Sequence, residues 1–322
     1  MRALILGAGG FLGARLARQL AHAPRLGTQP IDEIVLSDLR PVAAPAGARC
    51  EIVPVIGDLR DGTVLDRLFA RPPGVVFHLA ATLTVDAEVD FRRGLETNLL
   101  ALVDLLERCR RQATAPRFLF ASSIATFGGR LPPVVGDDVR QAPATSYGTH
   151  KAITELLLAD YSRHGFVDGR ALRLPIVVTH PGPPSGSISD QVASLIREPL
   201  RGLRTTCRIA PDSPLALASA DKVVEGFLRL AALPAEALAE GRTMNLPGLS
   251  VTPAQIVAAV SRRLPGGIGD LVAWLPDAQV QRIIDGWPAG FTSERALALG
   301  FAPDASGDPP VPAFLAHEGL QP

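Results

Sequence analysis

The spacing Tyr147-x-x-x-Lys151 puts a phenol and an ammonium one turn apart on the same face of any helix that contains them. A phenol ordinarily loses its proton near pH ~10, and a neighbouring cation lowers that value by ~1–3 units, which makes tyrosine a usable general base near neutrality. The chain has two tyrosines, and its lysines are Lys151 and Lys222, so the pairing is not a by-product of either residue being abundant. Upstream, an apolar run ends in Ala121-Ser122-Ser123. One of these hydroxyls is placed to hydrogen-bond the oxygen on which such a base acts, and spacing does not choose between Ser122 and Ser123. Asn98, in a leucine-rich helical stretch, is either the holder of a proton-relay water or a surface residue.

A second set of residues suits a dinucleotide. Gly7-x-x-Gly10-x-x-Gly13 follows an apolar N-terminal run and, with Phe11 and Leu12, opens a helical pattern. Glycines here allow a tight turn and close approach of a pyrophosphate to free N–H groups at a helix start. Asp38 follows ~20–25 residues later, where a carboxylate accepts both ribose hydroxyls and repels a 2′-phosphate, favouring NAD over NADP. Arg40 stands nearby and works against that preference. Asp58, before Leu59, either bonds the adenine amino group or caps the helix starting near Gly62. Ala80 and Ala81 after Leu79 are small enough for a dinucleotide to lie on, while His78 reads as a packed strand histidine with no metal site around it.

These residues need a scaffold that gathers them. Apolar runs at Arg2–Leu6, Glu33–Ser37, Glu51–Val55, Val75–Leu79, Arg117–Ala121 and Gly169–Leu174 alternate with helical patterns at Phe11–His22, Leu65–Arg71, Arg92–Arg111 and Tyr147–His164. That succession predicts an α/β fold with a doubly wound parallel sheet (Rossmann type) that binds ligands at the carboxyl ends of its strands. A Pro- and Gly-rich stretch follows Leu174, then helical patterns at Ser189–Leu200, Asp221–Ala232 and Pro253–Leu264 and a strand at Arg242–Leu246. The expected division is a dinucleotide domain over 1–174, with a returning segment near 206–232, and a smaller C-terminal substrate-binding lobe from 175–205 and 233–322. Lys+Arg and Asp+Glu balance at 32 each, so no net field favours nucleic acid. No apolar run reaches the ~18 residues of a membrane span. The three scattered cysteines exclude a disulfide framework and fit a reducing, cytoplasmic setting.

From Gly7-x-x-Gly10-x-x-Gly13 through Asp38, Asp58, His78–Ala81, Asn98 and Ser122-Ser123 to Tyr147-x-x-x-Lys151, the chain resembles the extended short-chain dehydrogenase/reductase family, also called the NAD-dependent epimerase/dehydratase family. The resemblance implies that Tyr147 is the proton acceptor and that Lys151 also holds the nicotinamide ribose. It implies an NAD site that includes Leu59, Leu79 and Pro175. It also implies a homodimer, consistent with leucines and alanines on more than one face of Arg92–Arg111 and Tyr147–His164. Within the family, the segments Ser122–Gly128, Thr145–Ala152 and Gly165–Pro175 are most similar to dehydrogenases of small sugar acids such as D-erythronate. Arg173–Gly182 departs from the usual nucleotide-sugar epimerase pattern. The expected activity is NAD-dependent oxidation of the hydroxyl beside a carboxylate, and the alternative is a nucleotide-sugar epimerase or dehydratase that retains its NAD. A substrate carboxylate needs a cation: Arg197 is the choice, unless it is a surface arginine paired with Glu198. Thr82, Ser123, His180, Ser185 and Ser187 are its possible neighbours.

Overall fold

The computed structural model describes residues 1–178, 187–239, 241–264 and 267–305. They divide into two compact units: Met1–Ser123, Thr145–Arg173 and Val224–Met244 form one, while Ile124–Ala144, Leu174–Val223 and the described residues from Asn245 onward form the other. The returning segment is thus 224–244 rather than 206–232. Its last residues stay with the first unit because they add a strand to its sheet, Ala171 N–H donating to the Arg242 carbonyl at 2.8 Å.

In the first unit the chain runs β1 (Arg2–Leu6), α1 (Phe11–His22), β2 (Glu33–Asp38), β3 (Glu51–Ile56), α2 (Gly62–Leu68) and β4 (Val75–His78). It continues through α3 (Ala101–Arg110), β5 (Arg117–Ser123), α4 (Ser146–Arg163) and β6 (Asp168–Leu174) to α5 (Ala220–Ala232) and β7 (Thr243–Asn245). The seven strands are ordered β7-β6-β5-β4-β1-β2-β3, and the pairings of β1 with β2 and β4, of β2 with β3 and of β4 with β5 are parallel. Strand order therefore reverses between β1 and β4, where a doubly wound sheet opens its ligand crevice. A sheet covered on both faces explains the near-continuous apolar runs, with Ala3 through Leu6 and Ile34–Val35 wholly buried.

Two local features differ from the sequence pattern. The single helix expected over Arg92–Arg111 is α-helical at Phe91–Leu95, π-helical at Glu96–Leu100 and α-helical again in α3. The cap of α2 is Asp61, whose side chain accepts from Thr63 N–H at 2.8 Å.

The second unit is built from shorter pieces. Leu215–Ser219 pairs parallel with Ile176–Val178 and antiparallel with Leu249–Val251. Helices Ile188–Leu200 and Pro253–Ser261 pack their apolar faces over a core that includes Val178, Val192, Ile196, Leu215 and Ile256. Runs of two to five residues carry too little alternation to announce a strand, which is why the sequence pattern shows few of these. Among the described residues, no helix is long and apolar enough to cross a membrane.

Candidate active site

The glycine-rich turn is shaped by contacts that exclude a side chain. Gly7 has φ +86°, and a Cβ on it would stand 2.7 Å from the Ala80 nitrogen. A Cβ on Gly13 would collide with the Gly7 carbonyl. The β1–α1 turn is thereby pressed against the residue after Leu79, and α1 starts at Gly10 with no side-chain cap and no acidic residue in its first turn. This is a cradle for an anion held by backbone N–H groups and the helix dipole. At its edge the Asp38 carboxylate accepts from Gly9 N–H at 2.9 Å, so strand β2 presents the acid directly to the turn. These features fit a pyrophosphate and a ribose diol.

Asp58 lies farther along the same edge. Arg60 grips its carboxylate at 2.7–3.1 Å through Nε and Nη2, and that bond leads the causes holding Asp58 below the usual carboxylate range. Capping falls to Asp61, which removes one of the two roles open to Asp58; Leu59 beside it is partly buried.

Asn98 sits in the π-helical turn, buried, and its amide makes a reciprocal pair with the Thr82 backbone: Nδ2 donates to Thr82 O at 2.9 Å and Oδ1 accepts from Thr82 N–H at 2.8 Å. It is not a surface residue. It fixes the path of the chain through Ala80, Ala81 and Thr82 as they leave β4. His78, at the end of that strand, packs against Phe118 and Phe120. Burial, and behind it the Lys151 charge, pull His78 down to about 3, so it is neutral at any working pH.

Three consecutive residues of β5 meet three residues on one face of α4. The Ala121 carbonyl accepts from Lys151 Nζ at 2.7 Å. Ser122 Oγ donates to Glu155 Oε1. Ser123 hydrogen-bonds the Tyr147 side chain. The two serines, equivalent in the sequence, are thus separated: Ser122 is buried and engaged by a carboxylate, whereas Ser123 faces the phenol. Lys151 is 4% exposed, and its ammonium lies 5.4 Å from the Tyr147 ring centroid and 4.5 Å from that of Phe120. Burial pushes the Tyr147 phenol up to about 12 against the Ser123 hydrogen bond. Burial likewise pulls Lys151 down to about 7, against the attraction of Glu155. This corrects the expectation of a phenol lowered by its cation. Desolvation outweighs their attraction, and the pair sheds its first proton near pH 7 with one proton left to share.

A model of the NAD-dependent epimerase/dehydratase family matches residues 3–245, which span the glycine turn, both serines and the Tyr-Lys pair. The chain belongs to this family. D-erythronate dehydrogenase of Cupriavidus necator is 46% identical over 325 residues, covering 99% of each chain. The enzyme of the same name from Haemophilus influenzae is 37% identical, over 99% of this chain and all of the other. The crystal structure of the nucleoside-diphosphate-sugar epimerase from Agrobacterium tumefaciens superimposes with a TM-score of 0.93 at 33% identity, over 99% of this chain and 94% of that one. With such relatives, this family member is a nicotinamide-dependent oxidoreductase.

No sequence motif singles out Glu155 or Arg173. Arg173 Nε and Nη2 reach the Glu155 carboxylate at 2.7–3.1 Å, beneath Lys151 on the same helix face. Continuing the Tyr147–Lys151 interval by one more turn points to Glu155.

In the second unit, Pro175 is buried immediately after β6. Arg197 is not a surface residue. It is fully buried between Asp190 Oδ1 at 2.7 Å and Glu198 Oε1 at 2.6 Å. Ser187 caps the helix that carries these groups. His180 and Ser185 lie outside the described residues.

Proposed function

We propose that the chain is an NAD-dependent dehydrogenase that oxidises the 2-hydroxyl of a small sugar acid of the D-erythronate type. The observation that carries this reading is the Ser123–Tyr147 hydrogen bond beside a buried Lys151, and the substrate class follows from the full-length similarity to two D-erythronate dehydrogenases. Ser123 orients the reacting oxygen and Tyr147 takes its proton. The Lys151 ammonium, held on the Ala121 carbonyl, favours the phenolate form of the pair. When bound, the nicotinamide supplies the acceptor for the hydride that leaves the carbinol carbon. Backbone N–H groups around Gly7, Gly10 and Gly13 suit the pyrophosphate, and Asp38 suits an unphosphorylated ribose, hence NAD. Exposed Leu156 and Leu100 on the helical face of this unit support a homodimer.

A panel of C4 and C5 sugar acids with NAD, followed by NADH absorbance, tests the reading, and D-erythronate is expected among the substrates. The second reading, an epimerase that retains its NAD, is favoured by the solved epimerase structure. Failure of every sugar acid, together with epimerisation of a UDP-sugar without NADH release, would establish it. Light scattering giving a particle of 33.9 kDa at micromolar concentration would exclude the dimer.

A further inference from the structure

Helix α4 presents Tyr147, Lys151 and Glu155 on one face at successive turns. The first two belong to the proton-transfer pair, and the third has no part in it. Yet Glu155 is 5% exposed and is held from two neighbouring strands at once, by Ser122 of β5 and by the Arg173 fork from β6. Around Lys151 stand Tyr147, His150 and Glu155 from α4, the Ala121 carbonyl and Ser122 from β5, and His78 from β4, which stays neutral. Lys151 donates to a carbonyl and is in no ion pair within 4.0 Å among the described residues. Of the groups around it, Glu155 is the carboxylate.

We propose that Glu155 is a positioning residue for the proton-transfer pair: clamped by Arg173 and Ser122 one turn beyond Lys151, its charge keeps the Lys151 ammonium protonated beside Tyr147. The clamp explains why the carboxylate does not swing out to a direct bond. A direct salt bridge would bind the lysine too tightly to share a proton with the phenol, whereas a fixed charge one turn away biases it and leaves it free to exchange. Ser122 gains a role as well. Its one hydroxyl proton is committed to Glu155, so it holds the carboxylate against β5 and has no proton to donate to the reacting oxygen.

The lysine count makes the test direct. With lysine labelled at Cε with carbon-13, the protein gives two side-chain signals, Lys151 and Lys222. The Lys151 signal is identified by its loss in Lys151→Met. In Glu155→Gln the Lys151 titration midpoint falls by about one unit or more relative to the wild type, while the Lys222 midpoint stays. In Glu155→Asp, which keeps the charge, it stays within about half a unit. An unchanged Lys151 midpoint in folded Glu155→Gln overturns the proposal. So does a full-unit fall in Glu155→Asp, which would mean that packing and not charge sets the lysine, and this variant decides the matter if Glu155→Gln does not fold. The readout is the lysine itself, so its failure leaves the sugar-acid reading standing, and failure of the substrate panel leaves this proposal standing.

Discussion

Among the cations that the two units bury, Lys151 of the first and Arg197 of the second are built in opposite ways. Arg197 is 0% exposed and bonded to two carboxylates; burial alone would lower it, but the Asp190 and Glu198 pairings raise it above the ordinary arginine value. Lys151 is 4% exposed and bonded to a carbonyl, with its carboxylate one turn away, and it falls to about 7. Burial is common to both; the distance to the counter-charge differs. A cation locked to its anions is a fixed brace for the helix that carries it. A cation held short of its anion can give and take a proton within the physiological range.

That contrast can be broken experimentally. The largest effect is expected in Tyr147→Phe, which removes the group that Lys151 serves: turnover falls by about 10²–10⁴-fold while the dissociation constant for NAD changes little. More than a tenth of wild-type turnover would mean that another base operates. Next, Arg197→Met strands two buried carboxylates and should cost about 3–5 kcal/mol in chemical denaturation. Lys151→Met orphans one buried carbonyl and should cost less, about 1–3 kcal/mol. Equal stability losses in the two would erase the distinction between brace and proton carrier. A raised KM with unchanged stability in Arg197→Met would instead return Arg197 to the substrate.

Smaller effects sharpen it. Oxidation requires that the Tyr147–Lys151 pair hold one proton rather than two. Because the first leaves near pH 7, kcat/KM in the oxidative direction should rise about tenfold per pH unit below that value and level off above it. A profile flat from pH 5 to 7 would show that the pair is already singly protonated there. Finally, Asp38→Ser should narrow the preference for NAD over NADP by about tenfold, or 1.4 kcal/mol. An unaltered ratio would place discrimination elsewhere, and the nearby Arg40 would be examined next.

What the sequence discloses follows the same divide between backbone and burial. The Gly7–Gly13 turn is legible because its constraint is steric and local: only glycine tolerates φ +86° with the Ala80 backbone against it. Tyr147 and Lys151 are legible because helical spacing is periodic. The choice between Ser122 and Ser123 is not, since both reach α4 and what separates them is which of its residues, Glu155 or Tyr147, each one meets. Glu155 was within reach of the same periodicity, but its meaning required Arg173 from another strand. The burial of Arg197 is hidden for a related reason. Its partner Glu198 is visible as a neighbour in sequence, whereas Asp190 is brought to it by two turns of helix, and no local pattern reports that both are sealed from water.

The π-helical turn at Glu96–Leu100 carries one residue more than a regular helix would hold over the same length, and Asn98 reaches Thr82 from inside it. Removing a single residue at this point would restore an ordinary helix with both flanks in register, but the turn that aims Asn98 at Thr82 would go with it. The chain therefore contains a place where a length change spares the helix and costs the loop that the helix holds. In a library of one-residue deletions along Phe91–Arg110, those outside Glu96–Leu100 should cost most stability, because they rotate one flank against the other by about 100°, while removal of Asn98 itself should cost activity rather than folding.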